Sequence, residues 1–220
     1  MKTEKELSEI YLSILDKIKS YDFLHEWMTK PFNAFGKSMA TNGYILVTVP
    51  ASGNFTNQEE KITNVYPFKH HIEKTITLSE LKEKLSEFPV VDCFDEKQSE
   101  CNACYGKGTV EFEFEHRCKS YSIEGECPIC EGEGTLIQES KTPNGKKQFD
   151  YKQFFGIGNS IFRVERIEEL LFIANALNQD INLVSQESST KPSIFTVGEI
   201  EILLMPSIKS DDVKVSQTIS

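Results

Sequence analysis

The chain has 220 residues, 39% hydrophobic and 26% charged, with 24 Lys and Arg against 34 Asp and Glu for a formal net charge of -10. This globular composition excludes long disorder and a collagen-like or coiled-coil rod. The negative charge excludes a protein that coats nucleic acid non-specifically, and apolar runs such as residues 44–47 fall far short of the roughly 20 residues that span a bilayer.

The charged start Met1-Lys2-Thr3-Glu4-Lys5-Glu6 runs into helical sequence with no apolar signal core, so the expected location is the cytoplasm. In that reducing compartment six cysteines point to metal rather than disulfides. Leu7, Ile10, Tyr11, Ile14, Leu15 and Ile18 recur at spacings of three and four, which predicts an amphipathic helix. Thr3 followed by Glu6 is a capping box at its start. Residues 32–35 and 45–49 read as short strands, the second ended by Pro50, and residues 51–62 as a polar loop. Residues 75–77 form a short extended run. A second helix starts at Ser79, with Leu81, Leu85 and Phe88 on one face, and Pro89 stops it. Thr142-Pro143-Asn144-Gly145 reads as a turn, and residues 154–162 as strand-turn-strand around Gly156 and Gly158. Val164–Leu177 has Ile167, Leu170, Leu171, Ala174 and Leu177 at helical spacing. Three strands follow, over residues 181–184, 193–197 and 199–205, and residues 209–220 read as a loose tail.

All six cysteines lie within residues 92–150, which carry 13 acidic and 7 basic residues; the remainder is nearly balanced, with 21 and 17. Cys101-Asn102-Ala103-Cys104-Tyr105-Gly106-Lys107-Gly108 and Cys127-Pro128-Ile129-Cys130-Glu131-Gly132-Glu133-Gly134 both read C-x-x-C-x-G-x-G. Two residues between cysteines let one tight turn aim both thiolates at one ion, and two such turns complete a tetrahedral zinc site. The glycines permit positive φ and let N–H groups approach the sulfurs. The other reading is four buried thiols or two disulfides, which the duplicated spacing disfavours. Cys93 and Cys118 read as small, partly buried thiols, with His116 or Cys118 a redundant alternative ligand. Phe112 and Phe114, on one face of an alternating strand, read as a cover for the module's core, or else as a peptide-docking face.

The motif is similar to the cysteine-rich region of DnaJ-type chaperones, which holds four such copies and two zinc ions. The resemblance covers residues 101–134. Two copies imply one zinc, held by Cys101, Cys104, Cys127 and Cys130, and four cysteines close its coordination shell, so its role is structural. No His-Pro-Asp tripeptide of a J domain is present.

Two flanking stretches carry a second resemblance. Met39-Ala40-Thr41-Asn42-Gly43-Tyr44-Ile45-Leu46 resembles the Ala-Thr-Asp-Gly-His-Arg-Leu strand of bacterial DNA polymerase sliding clamps. Helix 164–177, then Ile181-Asn182-Leu183, Lys191-Pro192-Ser193-Ile194-Phe195 and Ile202-Leu203-Leu204-Met205-Pro206 resemble the end of a clamp subunit in order. The resemblance implies an α+β, sliding-clamp-like body of helices packed on antiparallel sheet, over residues 1–92 and 148–220. The zinc-binding β-hairpin module would be inserted as residues 93–147. It also implies an apolar pocket for short partner peptides, with Thr41, Gly43 and Tyr44 on one wall and Leu203, Met205 and Pro206 on the other. Asn42 and Ile45 stand where clamps carry Asp and Arg. Apolar strand residues such as Leu203 and Met205 also fit an ordinary core.

The polar faces of the three helices mix Lys and Arg with Glu and Asp, so they read as solvated surfaces with little to offer a DNA backbone. A P-loop, a nucleophile elbow and a zinc-protease helix motif are all absent from the sequence. His70-His71 with Glu73 read as surface residues, because neighbours on a strand point to opposite faces. The expected function is therefore non-enzymatic: a clamp-like accessory in DNA replication or repair that binds a protein partner and possibly DNA, as a single copy or a homo-oligomer. The alternative is a zinc-dependent, chaperone-like adaptor for extended polypeptide.

Overall fold

A computed structural model describes residues 3–21, 23–63, 74–208 and 214–219. The chain divides into two compact units, Met1–Pro89 with Phe149–Ser220, and Val90–Gln148.

The first unit is α+β, as expected. Its helices are α1 (Glu4–Ile18), the single turn α2 (Glu59–Ile62), α3 (Leu78–Ser86) and α4 (Val164–Leu177). The capping box forms: the Thr3 hydroxyl accepts the Glu6 N–H at 3.3 Å, and the Glu6 carboxylate accepts the Thr3 N–H at 2.7 Å. Seven strands, β1 (Phe32–Ala34), β2 (Lys37–Thr41), β3 (Ile45–Pro50), β4 (Lys74–Ile76), β11 (Ile181–Ser185), β12 (Ser193–Val197) and β13 (Ile200–Leu204), form one sheet in the order β1-β2-β3-β13-β12-β11-β4. Every pairing in it is antiparallel. A smaller sheet pairs β9 (Phe154–Ile157) antiparallel with β10 (Ser160–Arg163) and parallel with β14 (Val215–Ile219).

The large sheet is buried on both faces, so β3 and β13 carry mostly apolar residues without alternation, and their polar members Thr48 and Glu201 are buried with the rest. Ile45, Val47, Val49, Ile202 and Leu204 join the main core with Ile14 and Leu15 of α1, Leu81 and Leu85 of α3, and Ile167, Leu170 and Ile173 of α4. The intervening Leu46 and Leu203 turn to a second core with Met39, Phe32 and Ile62, against which Trp27 packs.

Three expectations in this unit change. The polar loop at residues 51–62 ends in the helical turn α2, whose Ile62 closes the second core. The tail is tied down over Val215–Ile219, where Ile219 is buried and Thr218 lies over Gly156, a glycine with no side chain to obstruct it. A single buried apolar residue leaves no periodicity to read. The polar face of α4 is half-buried rather than solvated, for reasons given below. His70, His71 and Glu73 lie outside the described residues.

The second unit consists of two ribbons and two knuckles. β5 (Val90–Glu100) pairs with β8 (Thr135–Phe149), and β6 (Thr109–His116) with β7 (Lys119–Glu126). The expected turn at residues 142–145 lies inside β8. Its local chemistry remains: Gly145 has φ 80° and the Asn144 side chain accepts the Lys146 N–H at 2.9 Å. A two-stranded ribbon leaves half its backbone groups unpaired, so Pro143 fits there without breaking a ladder. The long β5 was not legible, because a ribbon exposed on both faces needs no alternation. Cys118 sits exposed at the β6–β7 turn, where Arg117 and Cys118 have φ of 49° and 59°.

Candidate metal centre and ligand cavity

Cys101 and Cys104 lie on one knuckle, Cys127 and Cys130 on the other, and all four are buried. Their sulfurs lie within 4.8 Å of one another, with Cys101 to Cys127 at 3.9 Å and Cys104 to Cys130 at 3.7 Å. A tetrahedron of thiolates at 2.3 Å from a zinc ion has an edge of about 3.8 Å, so the donor set fits that ion in number, chemistry and spacing. The two knuckles support each other almost symmetrically. The Cys101 N–H donates to the Gly134 carbonyl at 2.9 Å, and the Cys127 N–H to the Gly108 carbonyl at 2.8 Å. Gly108 donates its N–H to the Cys104 sulfur at 3.3 Å, and Gly134 to the Cys130 sulfur at 3.2 Å. Such donors orient thiolates and spread their charge.

The sulfurs are not equivalent. Burial pushes the Cys101 thiol up, but N–H groups of Cys104 and Ala103 and the thiols of Cys104 and Cys130 outweigh it and bring it to about 7. Cys130 moves the other way, to about 11, through burial and the surrounding thiols, against one N–H from Gly134. Val110 and Leu136 are the flanking apolar residues that pack on the cluster. Phe112 and Phe114 do not: they are 43% and 53% exposed, which corrects their reading as a cover for this core. Cys93 is half-buried and, with the exposed Cys118, lies outside the four-sulfur group.

In the first unit, the turn between β2 and β3 is built by its own side chains. The Asn42 side-chain Oδ1 accepts the N–H groups of Tyr44 and Ile45, Gly43 adopts φ 88°, and the Thr41 hydroxyl donates to the Ile45 carbonyl at 2.7 Å. The Asn42 amide then donates to Glu169 on α4 at 3.2 Å. Glu169 holds Arg166 at 2.7 Å through both carboxylate oxygens, and the Arg166 guanidinium lies 5.4 Å from the Tyr44 ring centre. Burial raises the Glu169 carboxyl, against the opposing pull of Arg166 and Asn42. The Met205 N–H donates to the Tyr44 carbonyl at 2.8 Å, fixing the end of β13 beside the turn.

This arrangement walls a cavity of about 480 Å³ lined by Tyr44, Met205, Pro206, Ile208, Phe154, Arg163, Glu165, Arg166 and Ser207. On the other side of Tyr44 and Arg166 lies a second cavity, of about 640 Å³, lined also by Gly43, Asn42, Tyr21 and Met28. Of the six residues expected around a pocket, Tyr44, Met205 and Pro206 come together and Gly43 lines the neighbouring cavity. Thr41 is buried within the turn and Leu203 in the second core, and neither lines a cavity wall. Arg163 also lines the cavity, and Arg166 and Glu169 complete the site; their i, i+3 spacing marks a helix pair but not this role, since contacts across more than a hundred residues bring them to the turn.

No protein-family model and no curated protein matches the sequence. Among solved structures, the chain is similar to the DNA polymerase III subunit beta of Pseudomonas aeruginosa, at 10% identity and a TM-score of 0.43, over 92% of this chain and 65% of that one. It is similar to the Helicobacter pylori beta clamp bound to a DNA ligase peptide, at 12% identity and 0.44, over 92% and 63%. A third is the sliding clamp of Bartonella birtlesii bound to griselimycin, at 10% and 0.48, over 93% and 64%. The chain thus spans less than two thirds of the length of the clamps it matches. Among the described residues no helix is long and apolar enough to cross a membrane.

Proposed function

We propose that this chain is a non-enzymatic, sliding-clamp-like accessory of DNA replication or repair in the cytoplasm. It holds a short segment of a protein partner in the cavity of Tyr44, Met205 and Pro206. The observation that carries this reading is the meeting of those three residues, from the two stretches that resemble clamp sequence, around one open, partly apolar cavity. Hydrogen bonds already hold the walls in place, so little ordering is left to oppose binding. Cys101, Cys104, Cys127 and Cys130 bind one zinc ion, whose closed shell of four thiolates gives it a structural role. Duplex DNA is a poor partner, since the helix faces offer mixed charge and little counterion release.

The test is selection of a displayed library of random short peptides against the zinc-loaded chain. Enriched peptides should bind the wild type at micromolar Kd and lose about tenfold or more with Met205→Glu, a charge placed on the apolar wall. Failure of any sequence to enrich, or equal binding to the variant, sinks the reading. Light scattering on the same sample tells whether the chain assembles into several copies, as a ring requires, or stays a monomer.

A further inference from the structure

The β6–β7 ribbon presents two unlike faces. Strict alternation and the register place Phe112 opposite Ile123 and Phe114 opposite Tyr121 on one side. All four are exposed, between 43% and 60%, and none joins a core cluster. The face is nonetheless ordered: the Phe114 and Tyr121 rings stack at 5.4 Å, and the Phe112 ring lies over Gly125, where a Cβ would come within 3.1 Å of it. The other side carries Glu111, Glu113, Glu115, Glu124 and Glu126. Glu111 stands directly opposite Glu124, and none of the five makes an ion pair among the described residues. Like charges paired across a ribbon oppose its formation, so an approaching cation relieves a repulsion already built in.

Among the described residues the ribbon has two strands, so alternate backbone groups along the outer edge of β6 lack a ladder partner there. Three of the five glutamates and both phenylalanines stand on β6. A strand added along that edge continues both faces at once. Every second side chain extends the aromatic face, and the ones between lie beside Glu111, Glu113 and Glu115. We propose that β6 takes up an extended polypeptide segment of alternating apolar and basic residues as a third strand. Charge decides against the other occupants. The unit Val90–Gln148 carries 12 acidic and 7 basic residues, so a second copy, a nucleic acid and an anionic membrane are all repelled. The surface belongs to the second unit and is independent of the Tyr44 cavity.

The probe is a fluorescent peptide of alternating Val and Lys, matched in length to β6, titrated against the zinc-loaded full chain. An alternating Val and Glu peptide serves as control. The expected result is saturable binding of the Lys peptide, with new hydrogen-exchange protection along β6 and none along β7. Affinity should fall about tenfold, the scale of a few cross-strand charge pairs, in the triple variant Glu111→Gln, Glu113→Gln, Glu115→Gln. It should also fall in Phe112→Ser with Phe114→Ser, provided exchange within β6–β7 shows that the ribbon remains. Binding that survives loss of both phenylalanines marks bulk charge attraction and overturns the proposal. So does equal binding of the two peptides, protection on β7 instead of β6, or no binding at all.

Discussion

Glu169 ties the turn at Asn42 to Arg166 and so to the Tyr44 ring, and it does so with a side chain 17% exposed. Burial raises its carboxyl, the Glu165 charge adds to that, and Arg166 and Asn42 oppose it without cancelling it. The folded chain therefore binds this proton more tightly than the unfolded chain. The contribution to stability is full below the ordinary carboxylate value and is lost as pH rises through the raised one. A carboxyl NMR titration should place its midpoint above 4.5, and Arg166→Ala should move it higher still by removing the opposing charge. A midpoint at or below 4.5 contradicts the burial argument. The i, i+3 spacing of Arg166 and Glu169 was visible in the sequence, but the spacing alone suggests an exposed helix pair. Only the ring of Tyr44 and the amide of Asn42, arriving from another strand, turn it into a half-buried link.

At the scale of elements, the two knuckles show how a repeat becomes a packed unit. A Cβ at Gly108 would lie 2.2 Å from the Gly132 carbonyl oxygen, and one at Gly134 would lie 2.4 Å from that of Gly106. Both contacts are with backbone, which has no rotamer to move aside. Both glycines also hold φ near 75°, at 76° and 74°, where a side chain is strained. Gly134→Ala should therefore separate the knuckles and weaken zinc binding by about tenfold to a hundredfold, the loss typical of disturbing groups that orient metal ligands. A competition titration with a chromophoric chelator measures it, and an unchanged affinity would mean the knuckles pack by other means. The motif named the candidate ligands and the glycines in the sequence. What it concealed is that Gly108 and Gly134 are each required by the opposite knuckle as well as by their own turns. Helix periodicity was equally legible in α1, α3 and α4, because each buries one stripe against the sheets. Alternation marked β6, but the long exposed strands β5 and β8 were not legible, since solvent on both faces removes the constraint that writes a pattern.

For the whole molecule, the division into two units carries a separable stability. The second unit has a small cluster, four cysteines with Val110 and Leu136, whereas the first has its own extended core. A core that small does not hold some 60 residues by apolar burial alone, so the proposed zinc would carry the unit's stability. Cys101→Ser should lower the zinc content from one ion per chain and erase hydrogen-exchange protection across residues 90–148. Protection in α1, α4 and β13 should persist. Loss of protection throughout, or retention of zinc with the variant, refutes this account.

The sequence by itself determined the α+β class, the main helices, the four candidate metal ligands and the acidic, insert-like character of the middle. Each of these rests on local spacing, where a few neighbouring residues carry the physical constraint. The tertiary structure decided which of the pocket residues meet. Leu203 lies in the second core while Met205, two residues on and just past the end of β13 at Leu204, borders the cavity beside Tyr44. It also decided that Phe112 and Phe114 face solvent. Alternation places both on one face of a strand, but what covers that face depends on chain segments distant in sequence.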